Sequence, residues 1–262
     1  CYNEHGGGTF SNNYVLDNGG NFGIYTQRGH PSITGNIIEG GLYYEHSGHS
    51  KNDVGNVSGN MIYNGVLTLI GERLREDVYD NEGNSSVVYS AGLEVKNNTI
   101  AGNSGGPTMS VKGSVVFNNN NVYNNGGTYE LSNQSGLGTG SLNAESNYWG
   151  TSDASAITAK IHDWNDDSSF EFVDYTPHET AIITSNPISP PTGVSSQTGP
   201  TTMQLSWTAN AESDIAGYKV YYDTDGSGYP YANSVSTGST SASYTLTGLS
   251  TGTTYYVAVA AI

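Results

Sequence analysis

Between Asn13 and Gly150, short runs of β-branched and aliphatic residues alternate with asparagine and glycine, and one motif keeps returning: an asparagine, any residue, an apolar residue. It occurs at Asn13-Tyr14-Val15, Asn36-Ile37-Ile38, Asn60-Met61-Ile62, Asn98-Thr99-Ile100, Asn120-Asn121-Val122 and Asn147-Tyr148-Trp149. Successive first asparagines lie 23, 24, 38, 22 and 27 residues apart. Four spacings fit one period, and the longest fits the same period carrying an insert of about 14 to 16 residues. A period in the twenties is the mark of a solenoid, in which each repeat buries its apolar face only against its neighbours.

Local chemistry narrows the kind of solenoid. Regularly placed leucines are few, and Gly and Asn break the chain too often for helical repeats. What remains are short β-prone pieces: Ile33-Thr34, Asn36 to Ile38, Val57-Ser58, Val66 to Ile70, Leu93 to Val95 and Val115 to Phe117. Several short strands per turn, with sharp corners, predict parallel β coils about 4.8 Å apart. Asn and Gly suit the corners because both tolerate left-handed backbone angles. Asparagines at one place in each coil can also stack as an amide ladder that satisfies buried corner groups.

These repeats resemble those of right-handed parallel β-helix proteins, the pectate-lyase-like group, over roughly residues 10 to 180. The stretch from Asn147-Tyr148-Trp149-Gly150 to Val173-Asp174-Tyr175-Thr176-Pro177 resembles the closing segment of β-helix surface proteins, where a short helix and a final strand follow. The resemblance implies a fold shared by polysaccharide lyases, hydrolases, phage tailspikes, adhesins and inactive surface proteins, so function must come from the site. A helix is expected over about 153–164, capped by Thr151 or Ser152, with Ile157, Ile161 and Trp164 forming one stripe over the last coil. Phe170 to Tyr175 alternates and predicts one more strand.

Asn186-Pro187-Ile188-Ser189-Pro190-Pro191 then reads as a stiff linker. Beyond it, Met203 to Trp207, Gly217 to Tyr222, Ser243 to Leu246 and Thr254 to Val259 alternate between turns, as in a sandwich. With Trp207 on the second strand and Leu249 to Tyr255 before the sixth, this part resembles a fibronectin type III domain. The expected organisation is a parallel β-helix over 1–180, a linker over 181–191 and a sandwich over 192–262 that lacks its last strand. Either a longer chain supplies that strand or a neighbouring protomer does, which would make a filament subunit.

Composition narrows the partners. Charged residues are 12% of the chain and the net charge is −16, with only 8 Lys and Arg together. That balance argues against nucleic acid and anionic membrane surfaces as partners, since both need clustered Lys and Arg. No apolar run is long enough to span a membrane. Cys1 is the lone cysteine and allows no disulfide within the chain; it reads as the place where the sequence begins in mid-coil. Extracellular or cell-surface placement is the expectation, with a surface glycan or polysaccharide as ligand.

Candidate chemistry is sparse. The insert Gly71 to Ser86 holds Arg73 and Arg75, and also Asp77, Asp80 and Glu82, which have the oxygen chemistry of Ca²⁺ ligands. A solvated, self-paired charged loop is the plainer alternative. For a polysaccharide lyase or glycoside hydrolase, the basic candidates are Arg73, Arg75, Lys51 and His49, with Arg28 and His30 as a further pair. Glu45, His46 and His49 form one compositional metal cluster. Asp163, Asp166 and Asp167, and the Asp223 to Gly228 loop, read as polar turns rather than Ca²⁺ sites. Glycosylation sequons stand at Asn56, Asn84, Asn97 and Asn133. The preferred function is a structural or adhesive surface protein; the alternative is a polysaccharide-degrading enzyme.

Overall fold

The computed structural model describes residues 2–4, 7–16, 22–47, 53–79, 85–228 and 230–262, with the backbone alone for 2–4, 75–79 and 85–90. The chain divides into two compact units, Cys1–Pro187 and Ile188–Ile262. The molecule is nearly all β.

In the first unit the chain visits three parallel sheets in turn. The first coil is β1 (Tyr2–Glu4), β2 (Thr9–Ser11) and β3 (Tyr14–Val15); the second is β4 (Ile24–Gly29), β5 (Ser32–Thr34) and β6 (Ile37–Glu39). The third coil is β7 (Leu42–His46), β8 (Gly55–Ser58) and β9 (Met61–Tyr63). In the fourth, β10 (Leu67–Gly71) is followed by an antiparallel hairpin, β11 (Arg73–Tyr79) and β12 (Ser85–Ala91), before β13 (Leu93–Lys96) and β14 (Thr99–Ala101). The fifth is β15 (Met109–Gly113), β16 (Val115–Asn118) and β17 (Asn121–Tyr123). The sixth is β18 (Leu131–Asn133) and β19 (Leu142–Asn143), with Tyr148 bridging to Asn121. After α1 (Ala154–Thr158), β20 (Ile161–His162) and β21 (Val173–Asp174) end the first two sheets, each seven-stranded, while the third is five-stranded.

Strand alternation sends one set of side chains inward, and stacking lines them into columns. Ile38, Ile62, Ile100 and Val122 form one column on the third sheet; Ile33, Val57, Val95 and Phe117 form another on the second. Leu42, Leu67, Met109, Leu131 and Ile161 do the same on the first. Every one of these is buried, so each coil's apolar surface is covered only by the coils on either side.

The recurring asparagines hold the corner between the second and third sheets. The backbone N–H and the side-chain Nδ2 of Asn13, Asn36, Asn60, Asn98 and Asn120 each donate to Oδ1 of the next asparagine, at 2.7–3.1 Å, ending on Asn147. Nδ2 also reaches back to a carbonyl of the coil before, as Asn98 does to Val57 at 2.9 Å. A residue just before the ladder asparagine takes the left-handed conformation in several coils, as at Asn97 (φ 58°) and Asn119 (φ 56°). The long spacing between Asn60 and Asn98 is filled by the hairpin, so the ladder's register survives the insert.

Near the end of this unit the structure corrects the sequence reading. The helix spans only Ala154–Thr158, and its N-cap is Asp153, whose carboxylate accepts from Ser155 N. Ile157 is fully buried, but Ile161 belongs to β20 and pairs with Leu131. Trp164 is 42% exposed and packs on Phe172, with ring centroids 4.7 Å apart. The residues at helical spacing thus serve three different roles, because Lys160 through His162 stack on the coil before. From Glu179 to Pro187 the chain runs back across the outer face of the third sheet. Glu179 N donates to Asn147 O, Asn121 exchanges two hydrogen bonds with the Ile183 backbone, and Asn186 Nδ2 donates to Asn119 O. Thr99 Oγ1 donates to Pro187 O at 2.5 Å. Ile182 covers Met61, Ala101 and Tyr123.

The second unit is a sandwich of two antiparallel three-stranded sheets. One contains β22 (Thr192–Thr198), β23 (Thr202–Thr208) and β26 (Ser243–Thr247); the other β24 (Tyr218–Asp223), β25 (Asn233–Ser236) and β27 (Tyr256–Ala261). Trp207 packs edge-on to Tyr218 at 5.0 Å in its core. The Tyr255 hydroxyl accepts from Ser250 N at 3.1 Å, closing the corner before β27.

Replacing Asn98 by Ala removes the side-chain acceptor of Asn60 N and one of the three acceptors of Asn60 Nδ2, and takes the Asn98 Nδ2 donor from Val57 O; each buried unsatisfied group costs about 1–3 kcal/mol. Asn98→Ala is therefore expected to lower stability by about 3 kcal/mol or more, measured by chemical denaturation. Asn97→Gly, one residue away but exposed and left-handed, should change it by less than about 0.5 kcal/mol.

Candidate functional site

The outer face of the first sheet carries the solenoid's densest chemistry. Register aligns Tyr25, Tyr43, Thr68, Ser110, Ser132 and His162 in one outward column across six coils. At one end Tyr25 and Tyr43 stack with ring centroids 4.5 Å apart and 11° between planes, and Phe22 meets Tyr43 edge-on at 5.6 Å. The Tyr43 hydroxyl donates to Glu45 Oε2 at 2.9 Å, and burial together with this carboxylate pushes its pKa up to about 12. At the other end His162 lies 4.9 Å from the Tyr129 ring and 5.8 Å from Phe170, with its Nδ1 3.3 Å from Ser132 Oγ. Aromatic groups thus flank the half-buried hydroxyls of Thr68 and Ser110, while Ser132 is buried.

Arg28 stands at the edge of this face, where the first sheet turns toward the second. The pairing of β4 with β7 slips by one residue between Thr26 and Gly29, and Arg28 in that bulge takes φ 56° and is exposed. Other described non-glycine residues at positive φ are Asn or Ser; an arginine pays more strain in that region. Bulges re-aim side chains, and at this one Arg28 is exposed.

The sequence candidates disperse over the fold. Arg73 is exposed at the base of the hairpin. Arg75 and Asp77 lie on β11, paired with Tyr89 and Val87. Lys51, His49, Asp80, Glu82 and Asn84 lie outside the described residues. The expected charged loop at 71–86 is instead part of an antiparallel hairpin of Arg73–Tyr79 with Ser85–Ala91, for which the β-prone run Val87-Val88-Tyr89 is the one local signal. Glu45 and His46 cannot share a metal, because successive strand residues point to opposite faces: Glu45 holds Tyr43 outside, and His46 is 2% exposed inside, with Nε2 2.6 Å from Asp53 O. Among the described residues no three His, Cys, Asp or Glu side chains gather as metal ligands.

The acidic turns are structural where described. Asp163 accepts from Asn165 and from Val173 N, tying the turn to β21. Asp167 and Asp225 each accept the N–H and hydroxyl of the serine two residues on, which holds both carboxyls below their ordinary values.

Of the sequons, Asn97 is exposed and Asn56 is half-buried, its Nδ2 donating to Ser32 and Ser58. Asn133 is corrected: it is fully buried, and Nδ2, the atom a glycan would occupy, donates to the Glu171 and Phe172 carbonyls.

A second amide ladder escaped the sequence reading. Gly65 N donates to Asn103 Oδ1, Asn103 N and Nδ2 donate to Asn125 Oδ1, and Asn125 Nδ2 donates to Glu130 Oε2 at 2.9 Å. Glu130 is 5% exposed, and burial pushes its carboxyl above the ordinary value against the opposing pull of Asn125 and Lys160. Asn103-Ser104 and Asn125-Gly126 lack the apolar third residue, so they fall outside the repeating motif.

Residues 189–262 match the family described as the fibronectin type III domain. No curated protein matches the chain.

Two outcomes follow from these sites. The folded state holds the Glu130 proton to higher pH than the unfolded chain does, so Glu130 contributes stability that is present below the ordinary glutamate pKa and lost as pH rises through the raised one. Glu130→Gln keeps an acceptor for Asn125 without the buried charge; thermal melts across pH should show a higher Tm at neutral pH and a flattened pH dependence. In an N-glycosylating host, peptide mass mapping should find glycan at Asn97 and none at Asn133.

Proposed function

We propose that the first unit is a right-handed parallel β-helix of the cell-surface type, and that the chain is an extracellular structural or adhesive protein contacting polysaccharide through the outer face of its first sheet. The observation that carries this reading is the column Tyr25, Tyr43, Thr68, Ser110 and His162, half-buried residues that stack in register with the buried Ser132 between the last two. Aromatic rings offer apolar faces to sugar C–H groups and hydroxyls offer donors and acceptors in line, which suits an extended neutral or weakly charged chain. A fibronectin type III module supports the placement, since such domains commonly serve in extracellular structural and adhesive roles. No helix among the described residues is long and apolar enough to cross a membrane.

Affinity electrophoresis of the whole chain through gels containing neutral and acidic polysaccharides tests the reading. At least one polymer should retard the protein, and Tyr43→Ala should weaken that retention about tenfold, corresponding to about 1.4 kcal/mol. Free mobility in every gel would remove the glycan reading. New unsaturated or reducing ends in the same mixtures would replace adhesion by catalysis.

A further inference from the structure

The hairpin of the fourth coil is a two-stranded ribbon, and among the described residues neither β11 nor β12 has a second neighbour. An isolated pair of strands is marginally stable in water, and its free edges are templates for another strand. Cross-strand register sorts its residues into two faces. One holds Arg73, Arg75, Asp77 and Tyr79 opposite Ala91, Tyr89, Val87 and Ser85; the other holds Leu74, Glu76 and Val78 opposite Ser90, Val88 and Ser86. Leu74 is 2% exposed and anchors the base.

The sequence of β11, Arg-Leu-Arg-Glu-Asp-Val-Tyr, is complementary to itself when reversed. Two copies related by a two-fold axis perpendicular to the sheet can pair antiparallel only in registers centred on one residue. Centring on Arg75 sets Arg73 opposite Asp77 but also Arg75 against its copy and Leu74 against Glu76; centring on Asp77 sets Arg75 opposite Tyr79 but also Asp77 against its copy and Glu76 against Val78. Centring on Glu76 sets Arg75 opposite Asp77, Leu74 opposite Val78 and Arg73 opposite Tyr79, each twice by symmetry. Opposite charges, apolar partners and a cation beside an aromatic ring are the favourable cross-strand combinations. The one unfavourable element is Glu76 against its copy on the axis.

We propose that β11 is a self-recognition edge, through which two copies of this chain pair antiparallel about Glu76 to form a continuous four-stranded sheet. The contact is isologous, so it closes as a dimer. It stands independently of any glycan contact on the first sheet.

Sedimentation of the full chain over a concentration series tests it, with thermal melts to verify folding. The wild type should dimerise reversibly. Arg75→Asp and Asp77→Arg, each alone, set like charges opposite one another twice and should weaken the dimer about tenfold or more. The combined Arg75→Asp/Asp77→Arg chain restores the opposite pairs and should regain it. Glu76→Gln, which relieves the repulsion on the axis, should tighten it. A wild type that stays monomeric at every concentration overturns the proposal, as does a dimer that ignores the single charge reversals, a combined variant that fails to recover, or a Glu76→Gln dimer no tighter than the wild type.

Discussion

The amide of one asparagine bonded to the amide of the next is the interaction on which the solenoid depends. A coil of three very short strands has corners every few residues, and each corner buries backbone groups that the sheets cannot pair. Asparagine solves this with one side chain: Oδ1 accepts twice from the coil before, and Nδ2 returns to carbonyls of its own and the preceding coil. The ladder from Asn13 to Asn147 is therefore continuous, and its fixed geometry sets the register of every apolar column. Where the chain needs a long excursion, it makes it between the first and second sheets, away from this corner.

The repeat was legible because it obeys two local rules together, a strand period of two and an asparagine at a corner. The same legibility explains the errors. Ile157, Ile161 and Trp164 have helical spacing, but the partner of Ile161 is Leu131, a long-range pairing that no local pattern encodes. The bulge at Arg28 is invisible in sequence, since arginine in a left-handed conformation is dictated by pairing with β7 and not by propensity. The second ladder is hidden because Asn103-Ser104 and Asn125-Gly126 lack the apolar third residue of the repeat, and it ends on the Glu130 carboxylate instead of an amide. His46 and Glu45 looked like a metal pair on paper because sequence proximity says nothing about face.

The two units are built on different physics. The solenoid stacks local coils whose stability is the sum of neighbouring contacts, while the sandwich closes one small core around Trp207 and Tyr218 through pairings far apart in sequence. Chemistry follows the same division: the aromatic and hydroxyl groups aligned on the first sheet arise because stacking repeats a position coil after coil, turning single residues into a surface.

The returning segment from Glu179 to Pro187 has a mechanical meaning. Pro187 is held by Thr99, in the fourth coil, although the last strands of the solenoid belong to the seventh. Tension applied to the chain beyond Pro187 therefore enters the solenoid partway along its length. The terminal coils are shielded until Thr99, Asn186 and Asn121 have let go in succession. That arrangement makes the strap the first element to yield and the stacked coils the last.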